Sequence, residues 1–344
     1  MRATHSAALD SARLLESIDR FTTLRIAVFG DLIVDEFIYG DIARVSREAP
    51  VLILNYDSTE IVPGGAGNAA NNVAALGGSA TAVGVAGRDD PGRRLIDTLR
   101  RAVDVRSVLR PKSFRTPTKT RILAGGIHSA KQQVVRIDRA ATVEASDGDR
   151  RAIRARLLKA AARCDALLVS DYGGGAVWPQ LVVEAAKALR RRGKTKPPVL
   201  VDSRYSLLRY RGMTTCTPNE SEVEHLLGIR IRDNTRTLER AGRELIRRTR
   251  CDAVLITRGS RGMALFEPDR RTVHIPIYGS DQIADVTGAG DTVIATMALA
   301  LAAGCSFLDA ARLANYAGGI VVMKRGTATV SADEIRDAVL SDCD

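Results

Sequence analysis

Read for hydrophobic periodicity, the chain alternates between two kinds of segment. Short apolar, β-branched runs at residues 26–29, 80–85, 166–170, 199–202, 214–217 and 253–257 predict strands buried on both faces. Between them, residues 67–76, 91–101, 147–162, 177–192, 220–227 and 238–248 carry helical spacing. This alternation predicts an α/β fold, a doubly wound and mostly parallel sheet covered by helices. Two stretches break the rhythm. In 36–60 and 105–138, runs such as Val51-Leu52-Ile53-Leu54 and Gln133-Val134-Val135-Arg136-Ile137 follow one another without helices. They predict a small antiparallel β lid over the carboxyl ends of the parallel strands, where such folds bind ligands. An N-terminal extension, 1–23, readable as a helix, precedes the main unit at 24–340, and 341–344 form a tail.

Composition narrows the function classes. With 344 residues, 45% hydrophobic and 26% charged, the chain is globular rather than disordered. No apolar run reaches the roughly 18 to 20 residues of a membrane span, and residues 1–20 lack a signal-peptide core, which predicts a cytoplasmic protein without a membrane partner. Five scattered cysteines without a Cys-x-x-Cys pair, and four histidines, support neither a disulfide framework nor a zinc site. The net charge of +11 invites nucleic acid. Yet the basic clusters Arg190-Arg191-Arg192 with Lys194 and Lys196, and Arg247-Arg248 with Arg250, fall near predicted helix ends. Aromatics are 4% and not interleaved with them, so no stacking platform is present and nucleic acid is not the expected partner. The positive field suits anionic substrates.

The chemistry concentrates in Asp285-Val286-Thr287-Gly288-Ala289-Gly290-Asp291-Thr292, which leads into a small apolar helical segment. Glycines at a helix start let backbone N–H groups converge on an anion, with the helix dipole adding positive charge. A carboxylate closing a phosphate cradle repels phosphate unless it takes a proton from the attacking hydroxyl, so Asp291 reads as a general base. The same residues also read as a glycine turn with an Asp at the helix start. Other signals are weaker singly. Asp31 and Asp35 follow the first strand, as polyol ligands or as solvated turn acids. Gly65 and Asn68 open a helix, with Asn71 and Asn72 one turn on. Asn219 and Glu222 sit three apart after a strand, as an amide on phosphate with an acid holding hydrated Mg²⁺, as a capping box, or as both. Thr257, Gly259 and Gly262 form either a nucleotide-lying turn or a plain hairpin.

Taken in order, the Gly-Asp start, Gly-Gly-x-x-Asn, Asn-x-x-Glu, Thr-x-Gly-x-x-Gly and Asp-x-Thr-Gly-Ala-Gly-Asp resemble the ribokinase-like PfkB family of sugar kinases over residues 24–340. Within it the chain is most similar to the D-glycero-β-D-manno-heptose 7-phosphate kinase group. That similarity rests on Gly30-Asp31 with Tyr39-Gly40, Arg44-Val45-Ser46 with Glu48-Ala49-Pro50, Thr118-Lys119, Gln132-Gln133 with Arg136-Ile137-Asp138, Ser170-Asp171-Tyr172, Arg209-Tyr210-Arg211-Gly212 and Thr217-Pro218-Asn219. The resemblance implies ATP-dependent phosphorylation of a sugar phosphate, with Asp291 as base and the Gly288, Ala289 and Gly290 amides on the transferring phosphoryl. It implies Asp31, Asp35, Gly65 and Asn68 on the sugar, and Asn219, Glu222, Thr257, Gly259, Gly262 and Asn315 around ATP, with Glu222 reaching Mg²⁺ through water. Asp285 and Thr287 match positions that hold a monovalent cation, K⁺, in some relatives.

A substrate already carrying phosphate needs further cations, and Arg44, Lys119, Arg121, Lys131, Arg136 and Arg204 are candidates. Three departures fall where the sugar is read: Ser203-Arg204 in place of the usual Pro-Lys, Arg47 after Ser46 in place of Pro, and added length at 124–128. Rival readings keep the fold with another sugar or a nucleoside as acceptor, or make the chain a non-catalytic sugar-binding regulator. A following nucleotidyl transfer is expected of another protein. The exposed lid edge predicts a homodimer through the lid.

Overall fold

The computed structural model describes residues 2–125, 131–140, 146–190, 196–279, 285–324 and 326–342, with side chains from residue 11 onward. The expected helix end beyond Arg190, the cations Arg191, Arg192 and Lys194, most of the added lid length at 124–128, and Cys343 lie outside these residues.

A ten-stranded sheet forms the centre: β1 (Arg25–Gly30), β4 (Ser79–Val85), β5 (Val103–Asp104), β6 (Val108–Leu109), β9 (Ala166–Asp171), β10 (Val199–Ser203), β11 (Thr215–Cys216), β12 (Ala253–Thr257), β13 (Met263–Phe266) and β14 (Val273–Ile275). The order is β14-β13-β12-β11-β10-β9-β1-β4-β5, with β6 beside β4; all pairs are parallel except β12–β13 and β13–β14. β13 and β14 are absent from the apolar-run reading, because four and three residues after a glycine turn are too short to show a period. A smaller sheet, order β3-β2-β7-β8, is built from β2 (Leu32–Val45), β3 (Leu52–Gly65), β7 (Thr118–Gly125) and β8 (Gln132–Arg139). Two antiparallel pairs, β2–β3 and β7–β8, are joined by a parallel β2–β7 pair. Of the expected 105–138 stretch, Val108 and Leu109 pair with the central sheet, and the lid strand starts only at Thr118. β2 also starts early, at Leu32, so Asp35 stands on a lid strand rather than in a loop.

Helices cover both faces: α1 (Arg2–Asp19), α2 (Ala66–Ala75), α3 (Asp90–Leu99), α4 (Asp147–Ala161), α5 (Pro179–Arg190), α6 (Glu220–Leu227), α7 (Thr235–Thr249), α8 (Ala289–Ala302), α9 (Phe307–Val322) and α10 (Ala332–Ser341). Strand alternation divides the core. On β1, Ile26 and Val28 join the layer under α1–α3 and α8–α10, while Ala27 and Phe29 join the layer under α4–α7. Every residue of α8 from Asp291 to Ala300 is buried. Its hydroxyls are satisfied: Thr296 donates to the Thr292 carbonyl and Thr292 to Asn72 Oδ1, both at 2.9 Å. Left unpaired, each would cost about 1–3 kcal/mol. Among the described residues no helix is long and apolar enough to cross a membrane.

Candidate active site

Strand order reverses around β1, whose neighbours β4 and β9 come later in sequence on opposite sides; this is where open α/β sheets leave a crevice at the carboxyl ends. Asp31 follows β1, Tyr172 follows β9, Asp202 lies in β10, and Asp291 enters from the first turn of α8. The turn before α8 takes its shape from Gly288, at φ 81°, where a Cβ would stand 2.5 Å from Asn68 Nδ2. Two residues on, the Cβ position of Gly290 faces open space. The first bond of α8 runs from Thr292 N–H to Gly288 O, so the Gly290 and Asp291 amides precede it at the positive helix end. The Ala289 amide is already turned to the Val286 carbonyl at 3.3 Å.

Asp291 is 3% exposed. Its Oδ2 accepts from Asn68 Nδ2 at 2.9 Å and its Oδ1 from the Tyr172 hydroxyl at 3.2 Å. Burial pushes its carboxyl up to about 7 and Asp35 adds to this, while Asn68, Tyr172 and Lys119 hold it down. A carboxylate poised near neutrality, over a helix start with open space beside it, can take a proton from an alcohol next to a bound anion.

Of the expected sugar ligands, Asp31 is buried and accepts from the backbone N–H groups of Tyr172 (2.8 Å), Gly174 (2.9 Å) and Ala176 (3.3 Å), which folds the 172–176 loop around it. Asp35 Oδ1 pairs with Arg121 Nη1 at 2.5 Å, both largely buried. Gly65 caps α2. Asn68 meets protein on every side: its amide reaches Asp291 and the Gly288 carbonyl, and its Oδ1 accepts from Asn72 Nδ2 at 3.0 Å. A cavity of about 320 Å³ opens between lid and central sheet, lined by Asp31, Lys119, Arg136, Arg139, Tyr172 and Arg204 among others. Arg136 is paired with Asp138 at 2.7 Å and Arg139 with Glu36 at 3.5 Å. Lys119 and Arg204 have no ion-pair partner among the described residues; burial, then Arg136, Arg204 and Arg121, lower the Lys119 ammonium, while Asp35 opposes them. Arg44 is exposed near the far end of β2, and Lys131 pairs with Asp57 at 2.7 Å, so neither lines this cavity.

The other flank is built locally. Asn219 caps α6 in a capping box, with Glu222 N–H donating to Asn219 Oδ1 at 2.9 Å and Asn219 N–H to Glu222 Oε2 at 3.0 Å. Asn219 also bridges Thr257, bringing the β12–β13 turn with Gly259 and Gly262 alongside. That turn is a hairpin. Burial pushes the Glu222 carboxyl up, and burial with Glu222 and Asp291 nearby pushes Asp202 well up. Arg204 opposes the rise of both. No group of three or more His, Cys, Asp or Glu side chains that could hold a metal ion occurs among the described residues. Asn315 donates to the Pro276 carbonyl at 2.8 Å, tying α9 to the 276–279 segment. Asp285 accepts from the Thr287 and Gly326 amides at 2.9 and 3.2 Å.

Sequence reasoning gave no role to Tyr172, Asn72 or Asp202. The signal was present only as position: Tyr172 and Asp202 at strand ends beside the switch point, Asn72 one turn after Asn68.

The fold is ribokinase-like. Phosphofructokinase-2 from Escherichia coli, solved in complex with potassium, superposes with a TM-score of 0.72 at 19% identity, covering 92% of this chain and 99% of that one. Arabidopsis thaliana ribokinase complexed with ribose and ATP gives 0.67 at 20% identity, covering 93% and 98%. Residues 24–334 match the pfkB family of carbohydrate kinases, and the chain belongs to that family. It is a phosphotransferase with an alcohol group as acceptor. The bifunctional protein HldE of Geobacter sulfurreducens is 42% identical over 310 residues, covering 90% of this chain and 61% of that protein. The chain thus spans about three-fifths of the length of such relatives.

Proposed function

We propose that the chain phosphorylates a sugar phosphate, D-glycero-β-D-manno-heptose 7-phosphate, at its anomeric hydroxyl to give the 1,7-bisphosphate. ATP with Mg²⁺ is the donor, in the cytoplasm. The observation that carries the acceptor is the cavity under the lid, where Lys119 and Arg204 stand without ion-pair partners among the described residues and three arginines, opposed by Asp35, bear on the Lys119 ammonium. A dianionic phosphate ester relieves that crowding; a neutral sugar does not. The similarity to HldE proteins supports the heptose.

In this reading Asp291 takes the hydroxyl proton, Asp31 and Asp35 border the sugar, and the Gly290 and Asp291 amides hold the transferring phosphoryl. Asn219, Thr257, Gly259 and Gly262 flank the nucleotide. Glu222, with Asp202 beside it, would hold Mg²⁺ through water; the metal supplies charge neutralisation at the phosphates. Asp285 and Thr287 stay as the candidate K⁺ position.

Turnover across sugar phosphates and their dephosphorylated counterparts tests the acceptor. The phosphorylated sugar is expected to win in kcat/KM on the order of 10²-fold or more, the scale of a desolvated charge pair. Preference for the neutral sugar or a nucleoside overturns it.

The chain is further proposed to pair with a second copy through its lid, which exposes Val45, Val51, Leu52, Tyr56 and Val135. Light scattering should give twice the chain mass of 37.0 kDa; a monomer at working concentration overturns this.

A further inference from the structure

We infer that Tyr172 is a positioning residue for Asp291, forming with Asn68 a two-donor clamp that fixes the orientation of the carboxylate toward the acceptor hydroxyl. This rests on the reading of Asp291 as the base. The clamp is assembled from four separate elements. Tyr172 is held by its own backbone, whose N–H donates to Asp31 Oδ2 at 2.8 Å, so the end of β1 fixes where the ring stands. Its hydroxyl donates to Asp291 Oδ1 at 3.2 Å while Asn68 Nδ2 takes Oδ2 at 2.9 Å. Asn68 is in turn held by Asn72, and Asn72 Oδ1 accepts from Thr292, the residue after Asp291, at 2.9 Å. The loop of bonds therefore closes on α8.

An aspartate carboxyl otherwise turns freely about its last torsion, and a base works only when its oxygen lies within hydrogen-bond reach of the proton. One donor on each oxygen removes that freedom. Tyr172 keeps its proton to donate to the ionised carboxylate: burial, with Asp291 and Asp202 nearby, pushes the phenol well above its usual range. Its ring carries the Lys119 ammonium 4.8 Å from the centroid, linking the base to the lid cation. The groups that bear on the charge of Asp291 are Asn68 from α2, Asp35 from β2, Lys119 from β7, Tyr172 after β9 and Asp202 from β10. Of these Tyr172 and Asn68 donate directly, and each favours the ionised base.

Tyr172→Phe keeps the ring and deletes the donor, so the pH profile separates positioning from packing. The acid limb of kcat/KM is expected to move up by about 0.5–1 pH unit. The loss should then be roughly tenfold at pH 6.5 and narrow toward about threefold at pH 9. Asn68→Ala should move the same limb the same way, giving a second reading should either variant fold poorly. Ionisation of the substrate phosphate is common to all variants and cancels in the comparison. An acid limb unmoved in both variants, or a drop equal at every pH, overturns the clamp. Asp291→Asn distinguishes the two levels: full turnover there removes the base itself, whereas an inactive Asp291→Asn with unmoved limbs in Tyr172→Phe and Asn68→Ala removes the clamp alone.

Discussion

The two sheets place charge in opposite ways. Around the central sheet, carboxyls are buried and bonded: Asp31 collects three backbone donors, Asp291 lies between Asn68 and Tyr172, and burial pushes Asp31, Asp202, Glu222 and Asp291 upward. On the lid one pair, Asp35–Arg121, is buried, but β8 is exposed along its whole length and the outer charges pair in the open, as in Arg136–Asp138 and Lys131–Asp57. Pairs of that kind contribute about 0–1 kcal/mol. Groups meant to change protonation are thus held rigidly in the interior, where a low dielectric makes small geometric differences count. The lid supplies cations that have only to approach an anion.

The sharpest break of this contrast is Asp291→Asn. Under the proposed role kcat should fall on the order of 10² to 10⁴-fold while the KM for ATP stays nearly constant. Steady-state kinetics that show normal turnover would remove the central-sheet half of the comparison. The same variant has a thermodynamic signature. An aspartate ordinarily ionises near 4; here burial pushes Asp291 up to about 7, so the folded protein keeps a proton that the unfolded chain releases between those values. Wild-type stability on this account is fully present below about pH 4 and is lost as pH rises toward about 7. Asparagine carries no such penalty. The variant should be more stable than the wild type at pH 8 by on the order of 4 kcal/mol, read as a higher melting temperature, and show little gain at pH 4. Equal melting shifts at both pH values would contradict the buried-acid account.

A smaller effect is expected from the lid. Lys119→Ala should raise the KM for the sugar phosphate roughly tenfold and leave the KM for ATP within about twofold, since removing one cation from an anion site loses about 1.4 kcal/mol or more. Equal changes in both KM values would mean that Lys119 supports the whole crevice rather than the acceptor. The smallest effect on chemistry belongs to the lid surface. Val45→Lys with Leu52→Lys should convert the dimer to a monomer in light scattering while kcat changes by no more than about threefold. A dimer that survives both charges would place its interface elsewhere.

The sequence carried the architecture far. Continuous apolar runs located six strands of the central sheet, and helical spacing the helices between them, because burial on both faces leaves a dense local signature; α9 and α10 were not read from the sequence. The stretches without helices identified a separate sheet. Four short strands escaped: β5 and β6 have two residues each, and β13 and β14 four and three, fewer than a period needs, whereas β11, also of two residues, was read within the run 214–217. The capping box at the start of α6 was also readable, since its bonds join neighbours in the chain, Asn219 and Glu222, three residues apart.

What only the tertiary structure decided is where the acceptor-side groups point. Asn68 reads in sequence as a sugar ligand, yet its amide meets Asp291, 223 residues away. Arg44 and Lys131 read as lid cations and lie outside the cavity: a strand of fourteen residues carries Arg44 away from the crevice, and Lys131 pairs with Asp57. Tyr172 reads as an ordinary residue after a strand and meets the carboxylate from 119 residues off. Local spacing fixes which face of an element a side chain occupies; the strand order and the loop closures decide what stands opposite, and with it the protonation of Asp291.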